Sequence, residues 1–271
     1  MQGKKSYIVL IIILLTYLIV TLILFKFGFF DKKDSYIVFN DTTALRINKD
    51  KYEFIEQKDI PTDKKYDIYD YNKYVGNYNL NFKDNTYRIY DDNYNLIKLE
   101  KNFLAVYTKK EKIKINTNNV EELNQKDMEI LNKVLKSNDI GTYTTLSTKE
   151  KIKLRIKNKE MYLYNVSNDD YLNNDETVFS IVFIGNETEQ YTINVSKTEK
   201  NNMYSVPGYF INVVADLNDD ENDEIILDTQ VYSQNGKPTR TIYTYKGNKY
   251  QELLKTNLGS LSNSGWNPKN W

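Results

Sequence analysis

The most regular hydrophobic feature of the sequence is an uninterrupted apolar run near its start. Residues Ser6 to Phe25 carry no charge, and at about 1.5 Å per residue a helix of this length spans roughly 30 Å, the thickness of a bilayer's hydrocarbon core. A helix in the core of a soluble domain would show a polar stripe, which this run lacks. The pattern therefore predicts one N-terminal transmembrane helix.

The residues that flank this run indicate how it is used. The exit reads KFGFFDKKDS, with bulky aromatic residues where a signal peptidase needs small ones, so an uncleaved signal-anchor is favoured over the alternative of a cleaved signal peptide. Lysines lie on both sides, so the orientation depends on the long polar chain that follows. We expect a single-pass protein of the cell membrane, with a cytoplasmic N-terminus and the bulk of the chain extracytoplasmic.

The first part of the polar chain has mixed patterning. Residues 31–70 lack a sustained period and are predicted to be a tether with one short strand. From Asn77, short runs rich in Tyr, Ile, Leu and Val alternate with turn residues and predict a meander of strands. Residues 120–137 repeat their apolar positions at helical spacing and predict one helix, capped by Asn118 or Asn119.

The second half of the chain alternates more strictly. Residues 149–167 are predicted to form one half-buried strand, with Ile152, Leu154 and Ile156 on one face. Further strands are predicted at 177–185, 190–196, 209–216, 223–233, 239–246 and 249–256, and the sequence KGNK predicts a hairpin between the last two. The predicted fold is mainly β, with antiparallel sheets and one helix. Its predicted parts are a cytoplasmic stub and anchor at 1–30, the tether, a small α+β domain at 71–145 and a β-rich domain at 146–271.

Composition excludes several classes of function. The chain has 37 basic and 37 acidic residues, with no Cys and no His. Disulfides, zinc-thiolate sites, Cys nucleophiles and Ser-His-Asp arrangements are therefore impossible. The abundance of Asn, Lys, Ile and Tyr is typical of an AT-rich bacterial genome. No catalytic residue is predicted.

The zero net charge hides two opposed regions. Residues 101–159 hold 14 basic and 7 acidic side chains, a net charge of +7, whereas residues 160–228 hold 2 basic and 15 acidic side chains, a net charge of −13. One predicted strand face carries four of the basic side chains, Lys151, Lys153, Arg155 and Lys157. This face suits contact with an anionic wall polymer or lipid headgroups, or it is a solvated face whose lysines block edge pairing. Nucleic acid is not expected, because no recognition module accompanies the charges.

The strongest chemical signal is an acidic stretch, VVADLNDDENDEIIL, between two predicted strands. It places six acidic residues within nine positions, and like charges at such spacing repel one another. Its alternate positions all carry side-chain oxygens: Asp216, Asn218, Asp220, Asn222 and Glu224. Hard cations such as Ca²⁺ take six or more oxygen ligands, so this spacing predicts a cation-binding turn, with a merely solvated acidic turn as the alternative.

The flanking strands distinguish this turn from an EF-hand, whose loop joins helices and ends in a Glu at a position that is Leu227 here. The stretch resembles the calcium loops of FG-GAP or VCBS-type repeats, the blades of integrin-like β-propellers, over about residues 205–255. The resemblance implies a propeller-blade-like C-terminal region. It also implies that Asp216, Asn218, Asp220 and Glu224 are side-chain ligands and that Asn222 is a main-chain ligand. Glu221 departs from the Gly that this family has at the sixth position.

These observations predict a non-catalytic, membrane-anchored exported protein. One structural calcium site would stabilise its β-rich region, which would bind a partner protein or a component of the cell envelope. The alternative is an anchored hydrolase of glycosidase type, or an accessory subunit, that uses Asp or Glu residues which the sequence does not locate. Two carboxylates at catalytic separation are a property of the folded chain and not of sequence adjacency.

Overall fold

The structure is a computed structural model that describes the greater part of the chain after residue 33. The described residues are 16–17 and 34–258, with the exception of 42, 49–50, 71–72, 84–85, 100–102, 109–112, 114, 116–119, 142, 169–176, 200–205 and 231–236. Contacts between residues divide the chain into two units, Met1–Asp34 and Ser35–Trp271. The predicted domain boundary near residue 145 falls inside the second unit.

The predicted transmembrane helix, Ser6 to Phe25, lies outside the described residues except for Thr16 and Tyr17. Among the residues that are described, no helix is both long enough and apolar enough to cross a bilayer. The transmembrane anchor therefore stays a prediction from the sequence.

The first sheet is antiparallel and has the order β3-β2-β1-β7-β4-β5-β6. Its central strand pair, β1 with β7, joins segments that lie more than sixty residues apart in the chain. The strands are β1 (Ser35–Phe39), β2 (Ala44–Asn48), β3 (Lys51–Ile55), β4 (Lys65–Asp70), β5 (Lys73–Lys83), β6 (Thr86–Tyr90) and β7 (Phe103–Tyr107). A short 3₁₀ helix, Gln57–Asp59, lies between β3 and β4.

The prediction of a tether over residues 31–70 is corrected by this sheet. Residues 35–70 contain four strands, and Ile37, Leu45, Tyr66 and Ile68 are wholly buried. Each of these strands has only five or six residues. A run of that length shows little periodicity by itself, and β1 and β4 are completed by pairing with the distant β7.

The second sheet is antiparallel, has the order β12-β11-β10-β9-β8, and carries the α-helix α1 (Gln125–Ser137) on one face. The strand β11 is apolar except for Thr177 and Ser180 and is almost entirely buried, because one face packs on α1 and the other on the third sheet. The strands are β8 (Val120–Glu121), β9 (Thr148–Ile156), β10 (Lys159–Ser167), β11 (Thr177–Gly185) and β12 (Gln190–Glu199).

The predicted helix ends where expected but begins five residues later than predicted. Its cap is Asn124, whose side-chain oxygen accepts a hydrogen bond from the backbone N–H of Asp127 at 3.1 Å, while the Asp127 carboxylate accepts one from the backbone N–H of Asn124 at 2.9 Å. This reciprocal capping box satisfies two amides of the first turn. Val120 and Glu121 pair instead with β9, so tertiary strand pairing overrides the helical spacing of these two residues.

The third sheet is a four-stranded antiparallel meander in chain order. It confirms the four strands that the sequence predicts in this region, and Gly247 and Asn248 of the KGNK turn both have positive φ, as a two-residue hairpin requires. The strands are β13 (Gly208–Ala215), β14 (Glu224–Gln230), β15 (Thr239–Lys246) and β16 (Lys249–Asn257).

The third sheet is the middle layer of the second unit. On β14, Ile225 and Leu227 pack against apolar side chains of the second sheet, whereas Ile226 packs against those of the first sheet. A strand whose two faces both meet apolar layers is apolar at successive positions. The acidic turn joins β13 to β14 and therefore lies at one end of this middle layer.

Candidate functional site

The predicted cation-binding turn, which we call the acidic loop (Asp216–Glu224), connects β13 and β14. Ala215 and Glu224 are paired directly across the two strands, so the loop begins and ends at one rung of the antiparallel ladder. The strand-loop-strand setting that the sequence predicts is therefore present. The rigid pairing fixes both ends of the loop.

The Asp216 carboxylate organises the loop around itself. Its Oδ1 accepts hydrogen bonds from the backbone N–H groups of Asp219 at 2.6 Å and Asp220 at 3.1 Å, and its Oδ2 accepts one from that of Glu221 at 3.1 Å. Further along, Asn218 Oδ1 accepts from the Asp220 N–H at 3.1 Å. Alternate side chains of the loop therefore turn inward toward its backbone.

Two residues of the loop have left-handed backbone conformations. Asp219 has φ 70° and Glu221 has φ 71°. Glu221 stands at the position where the calcium loops that this stretch resembles have Gly. The left-handed backbone that favours Gly is therefore present here although the residue is Glu. Such a conformation costs a non-Gly residue about 1–2 kcal/mol, and the hydrogen bonds to Asp216 offset part of that cost.

Glu224 differs from the other four predicted ligands because its side chain is fully buried, with an exposed fraction of 0%. Its Oε2 accepts a hydrogen bond from the Leu217 N–H at 2.8 Å and its Oε1 accepts one from the Thr244 hydroxyl at 3.1 Å. The Tyr52 hydroxyl of β3 lies beside it. Burial, aided by the negative charge of Asp220 and opposed by these hydrogen bonds, raises the pKa of Glu224 to about 8.

The five predicted ligands are thus brought into one loop, but their oxygens are engaged mainly with the loop itself. Asp220 Oδ2 accepts from the Asn218 amide at 3.2 Å, and Asp220 Oδ1 accepts from the Asn222 amide at 3.1 Å. No group of three acidic side chains in the described part of the chain is arranged to hold a metal ion. An all-oxygen donor set of this kind suits a hard cation, and calcium binding stays a prediction.

The loop is also fastened to the second sheet, a contact that the sequence analysis did not anticipate. Asp223, fully buried, donates its N–H to the Arg155 carbonyl at 2.8 Å, and its carboxylate accepts from the Arg155 N–H at 2.7 Å and from the guanidinium at 3.1 Å. The Lys157 N–H donates to Asn222 Oδ1 at 3.0 Å, and Lys157 Nζ lies 2.6 Å from the Glu221 carboxylate. In the sequence, this attachment is indicated only by the opposed net charges of residues 101–159 and 160–228.

The predicted basic strand face is only partly a free surface. Lys153 is exposed and pairs with Glu160 at 2.6 Å, but Lys151 is 5% exposed and pairs with buried Asp127 at 3.0 Å. Together with Arg155 and Lys157, all four cations have an acidic partner within this chain. Contact with an anionic polymer stays a prediction, and it would have to compete with these internal pairs.

A second polar feature, which sequence reasoning missed, is a cavity of about 470 Å³ beside the start of α1. The Lys151–Asp127 pair lies in its wall, and the Tyr164 hydroxyl donates to Asp127 Oδ1 at 2.8 Å. Burial by itself would raise the pKa of Asp127, but the hydrogen bonds from Asn124, Tyr164 and Lys151 hold it below its ordinary value.

Comparisons of the chain with protein-family models, curated proteins and solved structures found no match.

Proposed function

We propose that the acidic loop binds one divalent hard cation, Ca²⁺ by its oxygen chemistry, and that this cation has a structural role. The observation that carries the proposal is the fully buried Glu224 carboxylate at the ninth loop position, beneath a loop whose Asp216, Asn218 and Asp220 side chains turn inward. A buried carboxylate without a cationic partner holds a proton, and a metal ion can replace that proton.

Two further features support this proposal. The loop joins the first two strands of a four-stranded antiparallel meander, which is the setting of the repeat calcium loops that the sequence resembles. Glu221 keeps a left-handed backbone where those loops have Gly. Because the loop contacts the second sheet through Arg155 and Lys157, a cation there would stabilise the junction of the second and third sheets.

We place this site in a membrane-anchored, exported protein that binds a partner protein or a component of the cell envelope and has no catalytic role. The anchor rests on the apolar run near the N-terminus. The rival function, a hydrolase, needs a carboxylic acid with a raised pKa in a cleft. In the α1 cavity the pKa values of Asp127 and Glu160 are instead lowered by hydrogen bonds, so the non-catalytic function is favoured.

Calcium binding is tested on the full-length chain in detergent by calorimetric titration and by thermal unfolding with calcium or with a chelator. With an affinity of about 0.1 mM and about 1 mM calcium, the expected stabilisation is roughly 1.4 kcal/mol. Asp220→Asn should weaken binding several-fold. Asp219→Asn is the matched control, because it removes the same charge from the same loop outside the alternating series. No calcium uptake at millimolar concentration, or equal effects of the two variants, would contradict the proposed site.

The proposed topology has a separate test that exploits the absence of cysteine. A single cysteine introduced at the exposed position Lys136 should react with a membrane-impermeant maleimide on intact cells, whereas one introduced at Gln2 should react only after lysis. Labelling at Gln2 in intact cells would show that the orientation is the reverse of the proposed one.

A further inference from the structure

The α1 cavity is built by four separate segments of the second sheet and its helix. Its walls come from the first turn of α1, from β9 and β10, and from the turn between β11 and β12. A volume of about 470 Å³ lies within the range of about 300–1,000 Å³ that small-molecule sites occupy. The cavity shares no residue with the acidic loop.

The inner wall of this cavity is a saturated hydrogen-bond network. Lys151 Nζ contacts Asp127 Oδ2 at 3.0 Å and Glu121 Oε2 at 3.3 Å, and it lies 4.2 Å from the centre of the Tyr162 ring. Asp127 also accepts the Tyr164 hydroxyl and the Asn124 backbone N–H. The donors of Lys151 and Tyr164 are therefore used within the protein, and the inner wall offers few of them to a ligand.

The outer part of the cavity keeps acceptors free. Glu160 uses Oε1 for both Lys153 and the Tyr162 hydroxyl, and Glu187 uses Oε1 for Lys126 at 2.6 Å. Within the described residues, no hydrogen-bond donor meets Glu160 Oε2 or Glu187 Oε2. The Lys126–Glu187 pair joins the helix to the β11–β12 turn and is solvent-exposed on both sides, so it can exchange partners at little cost.

The charges that line the cavity add to this preference for a donor. Three carboxylates, from Asp127, Glu160 and Glu187, face two ammonium groups, from Lys126 and Lys151. An anion would meet an excess of negative charge. A metal ion is not favoured at this cavity either, because the Asp127 oxygens already accept hydrogen bonds from Lys151, from the Tyr164 hydroxyl and from the Asn124 backbone N–H. The Tyr162 ring already holds one ammonium group at its face, an environment suited to organic cations.

We propose that the α1 cavity binds a small organic ammonium compound, whose N–H donors take the free oxygens of Glu160 and Glu187. The ligand's ammonium group displaces Lys126 from Glu187 at the mouth of the cavity. The Lys151–Asp127–Tyr164 network stays in place as the fixed inner wall. A primary diamine or an amino sugar has the required chemistry.

The test is calorimetric titration of the full-length chain with 1,4-diaminobutane, with 1,4-butanediol and succinate as neutral and anionic compounds of matched length, and with glucosamine as the second source of a primary amine. The diamine should bind and the diol and succinate should not. Tighter binding of glucosamine than of the diamine would assign the site to amino sugars. The expected ranking supports an ammonium site in either case.

Two variants should move the diamine affinity in opposite directions. Glu187→Gln removes the acceptor and should weaken binding about three- to fivefold, whereas Lys126→Met removes the competing cation and should tighten binding by a similar factor. Both positions are exposed, so folding is retained and is verified by circular dichroism. Glu199→Gln, an exposed carboxylate on β12 outside the cavity, is the control and should change nothing.

Three results would overturn the proposal. The first is that the diamine does not bind at concentrations up to about 10 mM. The second is that the diol or succinate binds as tightly as the diamine. The third is that the Lys126→Met variant binds the diamine more weakly than the wild-type chain does. None of them bears on calcium binding at the acidic loop, because the two sites share no residues. The calcium titration therefore decides that proposal independently.

Discussion

Asp127 and Glu224 are both carboxylates withdrawn from solvent, with exposed fractions of 4% and 0%. Asp127 has the ammonium group of Lys151 at 3.0 Å, and its pKa lies below the ordinary value despite burial. Glu224 has only neutral donors, the Leu217 N–H and the Thr244 hydroxyl, and its pKa rises to about 8. A buried carboxylate that is paired with a cation of its own chain stays ionised. A buried carboxylate without such a cation holds a proton or needs an external cation.

The largest expected effect is the loss of the cation beside Asp127. Lys151→Met leaves a buried carboxylate without its partner and should lower the free energy of unfolding by about 3–5 kcal/mol, measured by denaturant titration. Lys153→Met, two residues away on the exposed face of the same strand, should leave stability unchanged. Equal losses in both variants would show that the Lys151–Asp127 pair has no special weight.

The next effect separates the two carboxylates by pH. Folded Glu224 binds its proton more tightly than the unfolded chain does, so its stabilisation is complete below the unfolded pKa and is lost as pH rises from about 5 through about 8. The slope in calcium-free buffer should reach at most about 1.4 kcal/mol per pH unit. No histidine titrates in this window, because the chain has none.

Glu224→Gln should abolish that slope, and Glu252→Gln, an exposed position on β16, should keep it. Asp127 has the opposite sign, since a lowered pKa contributes stability that is present above the unfolded value and is lost as pH falls through the folded one. The stability that Asp127 contributes is therefore lost only below about pH 4. A flat profile between pH 5 and 8 in the wild-type chain would contradict the neutral state of Glu224.

A smaller effect is expected where the acidic loop meets the second sheet. Arg155→Met removes the guanidinium from buried Asp223, which keeps its hydrogen bond with the backbone N–H of residue 155. The free energy of unfolding should fall by about 1–3 kcal/mol. Calcium affinity does not report this coupling, because the same guanidinium lies 3.8 Å from the carboxylate of Asp216, a proposed ligand, and competes with the cation there. An unchanged free energy of unfolding in this variant would argue against Asp223 as the residue that attaches the loop to β9.

The smallest effect is expected from Lys157→Met. Its partner Glu221 is solvent-exposed, as Lys157 is, so at about 0.15 M salt the unfolding midpoint should not differ measurably from that of the wild-type chain. Unfolding at low ionic strength is the sharper measurement, because screening is weaker there. A large loss at either salt concentration would mean that this exposed pair contributes far more than such pairs usually do.

The strands from β9 to β16 were largely predictable because each has seven to ten residues and shows either alternation or a continuous apolar run. The prediction was wrong in one place: the single strand predicted over residues 149–167 is two strands, β9 and β10, joined by a turn in which Asn158 has a positive φ. In β9, Ile152, Leu154 and Ile156 are buried, while Lys153 and Arg155 are exposed, as the alternation predicts. Lys151 breaks this alternation and is buried. Its burial depends on Asp127, which α1 brings to it from twenty-four residues away, and no local pattern records such a partner.

The candidate site was predictable in its composition and its strand-loop-strand setting, since both are local in sequence. The burial of Glu224 was not predictable, because it depends on Tyr52 and Thr244 from two other strands. Asp223 was likewise missed as the residue that attaches the loop to β9. Its partner Arg155 lies 68 positions away, and the opposed regional charges indicated attraction without giving the pair.

The sequence by itself determined the β-rich class, the α-helix at Gln125–Ser137 and the position of the acidic loop, because apolar period and turn chemistry act over a few neighbouring residues. Only the tertiary structure decided that the third sheet lies between the other two, that residues 35–70 belong to a sheet, and which carboxylates have a cation. Those outcomes depend on contacts between distant segments, and burial converts such contacts into the charge state of each acid.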